Sequence, residues 1–388
     1  MIGRKCTVLG AGIGGLAVAI ALARRGAQVT VLEQAAGIRE VGAGLQISPN
    51  GAVVLDALGL GDELERIGRR ARAVQLVDYR GAGVTRLNMD RGRGYHFVHR
   101  ADLINMLAQA ARALGVRMRL LQQVSTVEIG ADGACLTTLQ GAHHRCETLI
   151  GADGIHSVVR QAIGDGAPAP AFTGHVAWRM TVPVPEAPAD EVTVHMGPGR
   201  HLVRYPLRDG HLMNIVAVEE RDDWTEESWS QVDDPARLRA AFAGFCPTVR
   251  GLLDRVDRVH LWGLFRHPVA DRWHKGGAVI LGDAAHPTLP FLAQGANMAL
   301  EDAWVLADAL ARHDDAPRAF AAYQAARRDR CARIVAAASR NARNYHLRFP
   351  PLRFAAHSTL RLTGRVAPGH LLSRFDWLYD HDVTARAV

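Results

Sequence analysis

Cys6-Thr7-Val8-Leu9-Gly10-Ala11-Gly12-Ile13-Gly14-Gly15-Leu16 decides the fold. A short apolar strand runs into a glycine-rich turn, and the alanine- and leucine-rich stretch from Leu16 to Arg25 then reads as a helix. Strand, glycine turn and helix in that order make a cradle for a pyrophosphate. Gly10 permits the tight turn, Gly12 lets backbone approach the phosphates, and Gly15 lets the helix pack close to the sheet with its N-terminus toward the charge. The next strand-like run, Gln28 to Glu33, ends on a carboxylate that can accept hydrogen bonds from both ribose hydroxyls. The turn points to a dinucleotide and does not choose NAD from FAD.

Working outward, Arg4 and Lys5 ahead of an apolar run that ends in Ala21-Leu22-Ala23 mimic a secretion signal. The glycines interrupt that run and a strand follows it, so the segment reads as part of the folded protein. No stretch of 18 uninterrupted apolar residues suggests a membrane span. With 388 residues, 48% of them hydrophobic and 22% charged, the chain can bury a large core, which excludes a disordered or collagen-like protein. A net charge of +7 is too modest for a dedicated nucleic-acid binder. The cysteines Cys6, Cys135, Cys146, Cys246 and Cys331 are odd in number and scattered, which fits a reducing cytoplasm; neither a disulfide frame nor a metal is expected.

Two later segments repeat the logic of a ligand at the carboxyl end of a strand. Thr148-Leu149-Ile150 leads into Gly151-Ala152-Asp153-Gly154, and Ala278-Val279-Ile280-Leu281 leads into Gly282-Asp283. Asp132-Gly133, by contrast, separates two alternating runs and reads as a hairpin turn. After Asp283, Pro287 to Gly295 forms a loop stiffened by prolines, and a helix follows with Leu300, Ala303, Trp304, Ala307 and Leu310 on one apolar face. The backbone amides at its start would stabilise an anionic ligand edge, and Trp304 is expected in the core.

Glycine turn, Asp-Gly segment and Gly-Asp segment, in this order and at these separations, resemble the single-component flavoprotein aromatic hydroxylases, which include salicylate, hydroxybenzoate and hydroxynicotinate monooxygenases. The resemblance spans residues 5 to about 330 and implies bound, non-covalent FAD. It assigns to that cofactor Gly10, Gly12, Gly14, Gly15, Glu33, Gln34, Gln46, Arg100, Val124, Asp153, Asp283, Pro290, Gly295, Ala296, Asn297 and Met298. Gly42 to Gly51 is similar to the family's loop near the flavin ring. Arg100, at a helix start, is either this contact or simply solvated.

The implied fold class is α/β: a Rossmann-like FAD-binding domain with an inserted antiparallel β-sheet substrate domain and a C-terminal helical segment. The expected divisions are 1–173, with an excursion to the substrate domain near 73–98, then 174–265, 266–330 and 331–388. Within the insertion, Val192 to Met196, Leu202 to Leu207 and Leu212 to Val218 read as strands, with a turn at Asp209-Gly210. His201 and Tyr205, four residues apart, would face the same side of a strand, as a catalytic pair or as packing. The Arg-rich tail, with Tyr345, Phe349 and Phe354 interleaved, reads as a solvated face or a subunit contact rather than a nucleic-acid surface.

By resemblance, NADH or NADPH reduces FAD, O₂ adds at flavin C4a, and the hydroperoxide oxygen passes to a small hydroxylated aromatic acid. No second glycine turn exists for the nicotinamide nucleotide, which would bind transiently. The expected protein is cytoplasmic, monomeric or homodimeric. A flavin reductase without oxygen transfer and a non-catalytic FAD-binding protein share the cofactor motifs.

Overall fold

The computed structural model describes residues 1–38, 43–89, 94–164, 166, 168–222 and 232–385, apart from the side chains of 342–344 and 368. Gly42, the first residue of the loop expected near the flavin ring, lies outside them. Six strands form the sheet that carries the glycine turn, in the order His274–Lys275, Ala278–Ile280, Thr148–Gly151, Lys5–Leu9, Gln28–Leu32, Arg117–Arg119. All pair in parallel except the first two. Val8 lies between Ile150 and Val31 in register, and all three are fully buried. This is what a sheet covered on both faces requires of its central strands.

Helix Ile13–Ala23 is apolar on every side because it lies in the core and packs against helix Gly295–Arg312. Asp132 and Gly133 do sit at a hairpin turn, between strands Val124–Gly130 and Gly133–Thr138. Trp304 is the exception to the expected core. It is half-buried, and the Arg25 guanidinium covers its ring at 4.4 Å, so the helix face turns outward there.

The second sheet has eight strands, ordered Val232–Asp233, Val259–Arg266, Ala171–Pro183, Leu212–Glu220, Arg200–Leu207, Glu191–Gly197, Ala73–Asp78, Gly83–Asn88. It is antiparallel save for one parallel pairing, Glu191–Gly197 with Ala73–Asp78, through which an earlier part of the chain joins its edge. Alternation sends Leu202 to a core with Trp178 and Phe242, and sends Tyr205 and Leu207 to the opposite face with Tyr95 and Phe97. Helices Ala316–Tyr345, Pro350–Val366, Pro368–Ser373 and Asp376–Tyr379 complete the chain. Of the three aromatics interleaved with arginines in the tail, Phe349 and Phe354 are exposed, with Leu362 and Val366, whereas Tyr345 packs against the cluster that holds Tyr205.

Candidate active site

Each glycine of the turn does a different task. Gly10 has φ +102°, and a Cβ there would strike the Ala152 carbonyl. A Cβ on Gly15 would overlap the Gly10 carbonyl oxygen, and one on Gly14 would come within 2.7 Å of Leu281. Those three positions are closed by protein. Among the described residues nothing beyond its chain neighbours lies within 4 Å of the place a Gly12 Cβ would occupy, so the space beside its backbone suits a ligand. Glu33 faces this turn: its carboxylate accepts from Ala11 N at 2.7 Å and from Ala35 N at 2.9 Å. Gln34 is exposed beside it. Leu121 N and Gln122 N donate to the carbonyls of Ala35 and Glu33, which brings the chain leading into half-buried Val124 along the same rim.

The two later aspartates differ. Asp153 is occupied locally, accepting from Ser157 Oγ at 2.6 Å and Val159 N at 3.3 Å, and so caps helix Val158–Ile163. Burial pushes its pKa up against these bonds. Asp283 keeps an exposed surface although protein crowds its carboxyl from several sides, and that crowding raises its pKa against the pull of His286 and Arg100. It lies beside the first turn of helix Gly295–Arg312, 4.0 Å from where a Cβ on Gly295 would stand. Arg100 starts helix Arg100–Ala113 and is half-buried, with Asp283 within its field.

In the 287–298 segment Pro290 is exposed, Gly295 and Ala296 are half-buried, and Met298 is fully buried. Asn297 is a tie: its Oδ1 accepts from Ser48 N at 3.0 Å, and its Nδ2 donates to Gln46 O at 3.0 Å and Ala293 O at 2.9 Å. Gln46 therefore lies against this loop, where its side chain accepts from Tyr95 Oη at 2.7 Å.

Beneath the loop is a polar network that sequence reasoning missed. Gln294 Nε2 donates to Ser48 Oγ, Asn50 Nδ2 donates to Gln294 Oε1 and to Glu301 Oε1, and Glu301 accepts from Arg330. Arg327 meets both Glu301 Oε2 at 2.5 Å and Asp302 Oδ1 at 2.8 Å. Asp302 Oδ2 meets His286 Nε2 at 2.5 Å and accepts from Gly282 N, the residue before Asp283. Burial works against charge on His286, but the Asp302 carboxylate overrides it and holds the imidazole pKa well above its usual value. The available signal was the adjacent acids Glu301-Asp302 inside an otherwise apolar helix, opposed by Arg327 and Arg330 at helical spacing.

On the sheet side the structure brings His201 and Tyr205 to one face, both buried. Tyr205 stacks on Phe97 with ring centres 5.0 Å apart, and a Cβ on Gly44 would be 2.8 Å from its ring. Burial raises its phenol pKa, countered by Arg179 and a hydrogen bond to Gln46. The His201 ring lies 5.7 Å from Phe291 of the loop, and its Nδ1 is 2.6 Å from Nε2 of His346. Burial holds the His201 pKa well below the usual value, with His346 and His175 adding to the effect. Tyr205 therefore meets strand Gly44–Ile47, and His201 meets the 287–298 loop. His346, from beyond the 30-residue helix Ala316–Tyr345, carried no sequence signal.

A groove of about 1150 Å³ opens at the other ends of the parallel strands, bordered by Lys5, Gln28, Arg117, Glu128 and Arg145, and contains none of these residues. FAD fits the glycine side instead. The space at Gly12, the Glu33 carboxylate and the solvent-reaching Asp283 all lie just past the carboxyl ends of parallel strands of one sheet, a set whose chemistry suits pyrophosphate, ribose and a ring system.

Comparison with known proteins agrees with that fit. The FAD binding domain family matches residues 5–338. A 3-amino-4-hydroxybenzoate 2-monooxygenase of Streptomyces platensis is 35% identical over 97% of this chain and 95% of its own length. A 3-hydroxybenzoate 6-hydroxylase of Polaromonas naphthalenivorans is 36% identical over 97% and 96%. The crystal structure of Klebsiella pneumoniae HpxO complexed with FAD and uric acid superposes with a TM-score of 0.83 at 29% identity, covering 94% of this chain and 95% of that one. The glycine cradle, the paired sheets and these relatives together show that the chain belongs to the FAD binding domain family and is an FAD-dependent monooxygenase.

Proposed function

We propose that this enzyme hydroxylates a small hydroxylated aromatic or heteroaromatic acid, using O₂ and a transiently bound NADH or NADPH. The observation that carries this reading is the meeting of Tyr205 with strand Gly44–Ile47 and of His201 with the 287–298 loop, where the sheet abuts the cofactor half. FAD, held by the glycine turn, Glu33, Arg100, Asp283 and the 295–298 turn, supplies activated oxygen when reduced. The protein's own task is to orient the ring, exclude water and remove the phenolic proton so that the ring becomes electron-rich. His201 and Tyr205 are the groups assigned to that proton.

Arg179 supports an acidic substrate. Its guanidinium donates to Gly44 O at 3.2 Å and lies close enough to Tyr205 to ease ionisation of the phenol, so it places positive charge where a substrate carboxylate and a phenolate would sit. The five cysteines are free thiols, which supports a reducing, cytoplasmic setting. Among the described residues no helix is long and apolar enough to cross a membrane.

The test is a screen of aromatic acids for stimulated NAD(P)H oxidation, with products identified by mass, followed by rapid-mixing kinetics on two variants. Tyr205→Phe and His201→Ala are expected to slow hydroxylation by about 10²–10⁴-fold while flavin reduction changes little, with hydrogen peroxide replacing product. Unchanged hydroxylation and coupling in both variants would remove the pair from the mechanism. FAD-bound protein that turns over NAD(P)H without ever oxygenating an aromatic would favour a reductase.

A further inference from the structure

The mechanism above leaves His201 with a difficulty. An imidazole buried to 2% exposure beside two other histidines cannot keep a proton it has taken. The same surroundings show where the proton goes. His346 Nε2 is 2.6 Å from His201 Nδ1, and on the far side of its ring His346 Nδ1 is 3.0 Å from Glu220 Oε1. Glu220 Oε2 accepts from Arg348 Nε at 2.7 Å, and Arg348 is exposed. A line of hydrogen bonds thus runs from the buried face of the sheet to the protein surface. Its backbone is fixed as well: Gly199 N donates to His346 O, and Glu220 N donates to Gly199 O, so both relay groups are tied to the hairpin that carries His201.

Donor and acceptor accounting assigns the protons. Glu220, paired with the Arg348 guanidinium, is a carboxylate and can only accept, so His346 carries its proton on Nδ1 and presents a lone pair at Nε2. That lone pair must accept from His201 Nδ1–H, which leaves His201 Nε2 as the basic nitrogen. His175 donates its Nδ1–H to Thr173 O at 2.8 Å, so its Nε2 can only accept and offers no proton to His346 Nε2. The other rings packed on His201 among the described residues, Phe291 and Tyr345, bring no carboxylate that would trap an imidazolium.

We propose that His346 and Glu220 form a proton relay that sets the tautomer of His201 and carries the substrate's phenolic proton to solvent. The proposal rests on the reading of His201 as the base. A proton enters at His201 Nε2, the Nδ1 proton of His201 passes to His346 Nε2, the Nδ1 proton of His346 passes to Glu220, and Glu220 releases it to water. One proton enters and one leaves, with no net charge left on either ring. The reverse sequence returns a proton to the product oxyanion and restores both tautomers. Burial also lowers the His346 pKa, to about 4, with His175 adding to the effect, so this ring too passes a proton rather than storing it.

Nitrogen NMR of ¹⁵N-histidine-labelled, FAD-loaded protein tests the assignment without any substrate. Signals are identified from the His201→Gln and His346→Gln variants. The expected result is both rings neutral at pH 7 with the proton on Nδ1, and tautomer mixing in Glu220→Gln. A His201 ring protonated on Nε2 would overturn the relay. With a substrate from the aromatic-acid screen, the rate of phenolate formation gives the second arm. His346→Gln is expected to slow it about 10–100-fold while FAD content and flavin reduction stay at wild-type values. If His201→Ala abolishes phenolate formation and His346→Gln leaves it unchanged, the relay fails and the base survives; if neither variant matters, both fail.

Discussion

His286 and His201 are almost equally buried, at 1% and 2% exposure, and both adjoin the 286–298 segment, yet one is held cationic and the other neutral. The difference lies in the partner. His286 has the Asp302 carboxylate at 2.5 Å inside a cluster where Glu301 and Asp302 face Arg327 and Arg330. His201 has a second imidazole at 2.6 Å, with its nearest carboxylate one ring further away on Glu220. Burial penalises charge in both places, and only a directly paired carboxylate reverses the outcome. The first arrangement fixes structure beneath the flavin loop; the second leaves a proton free to travel.

The largest expected effect comes from breaking the charged side of that comparison. Asp302→Asn removes the carboxylate shared by His286, Arg327 and Gly282 N, leaving buried positive charge uncompensated at a cost of about 3–5 kcal/mol. Urea unfolding of the FAD-loaded variant measures it, and a loss under about 1 kcal/mol would show that the cluster is not needed for stability. The pH dependence follows from the signs. Burial opposes ionisation of Asp302, but His286 and Arg327 prevail and set its folded pKa to about 2, so its contribution is complete above the unfolded value of about 3.9 and is lost as pH falls from there through the folded pKa. The raised pKa of His286 contributes fully below about 6.5 and fades as pH climbs through the folded value.

The neutral side predicts a slope opposite to that of His286. His346 is lowered by burial and His175 to about 4, so between about 6.5 and that value the unfolded chain binds a proton that the folded chain refuses. Stability should fall as pH drops through this window, by up to about 1.4 kcal/mol per unit for each such histidine. His346→Gln should make the slope between pH 6 and 5 shallower by one proton. Urea midpoints at several pH values give the slope directly, and an unchanged slope would mean that His346 is protonated in the native state.

These two regions were unequally legible in the sequence, for a physical reason. The glycine turn is local: strand, turn and helix are contiguous, and each glycine answers a clash within a few residues or across one strand pair, as Gly10 does against Ala152. His201 and Tyr205 were legible as a pair because strand alternation is also local, and Leu202 faces the other core as period two demands. The relay partner was not, since His346 reaches His201 across 145 positions, after a long helix whose end has no periodic signature. Arg179 acquires its place near Tyr205 only through sheet order, which brings strand Ala171–Pro183 next but one to Arg200–Leu207. Asp153 carried the expected aspartate type at the expected strand end, but its carboxylate is taken up by a helix cap, a choice made by Ser157 four residues on.

The smallest expected effect on folding, and the most discriminating for the cofactor, is at Gly12. Its backbone has φ −72° and ψ −176°, which alanine adopts without strain, and among the described residues no atom beyond its chain neighbours lies within 4 Å of the added methyl, so Gly12→Ala should leave apo-protein stability within about 0.5 kcal/mol. Gly15→Ala, three residues on, drives a methyl into the Gly10 carbonyl and should destabilise the protein whether or not FAD is present. A ligand at 100 times its Kd adds about 2.7 kcal/mol to the stability of a protein that binds it only when folded. Gly12→Ala should forfeit most of that increment, because the methyl occupies the space through which backbone approaches the pyrophosphate. Thermal unfolding with and without FAD separates the two glycines. If Gly12→Ala kept the full FAD-dependent increment, the open space beside Gly12 would not be where the pyrophosphate lies.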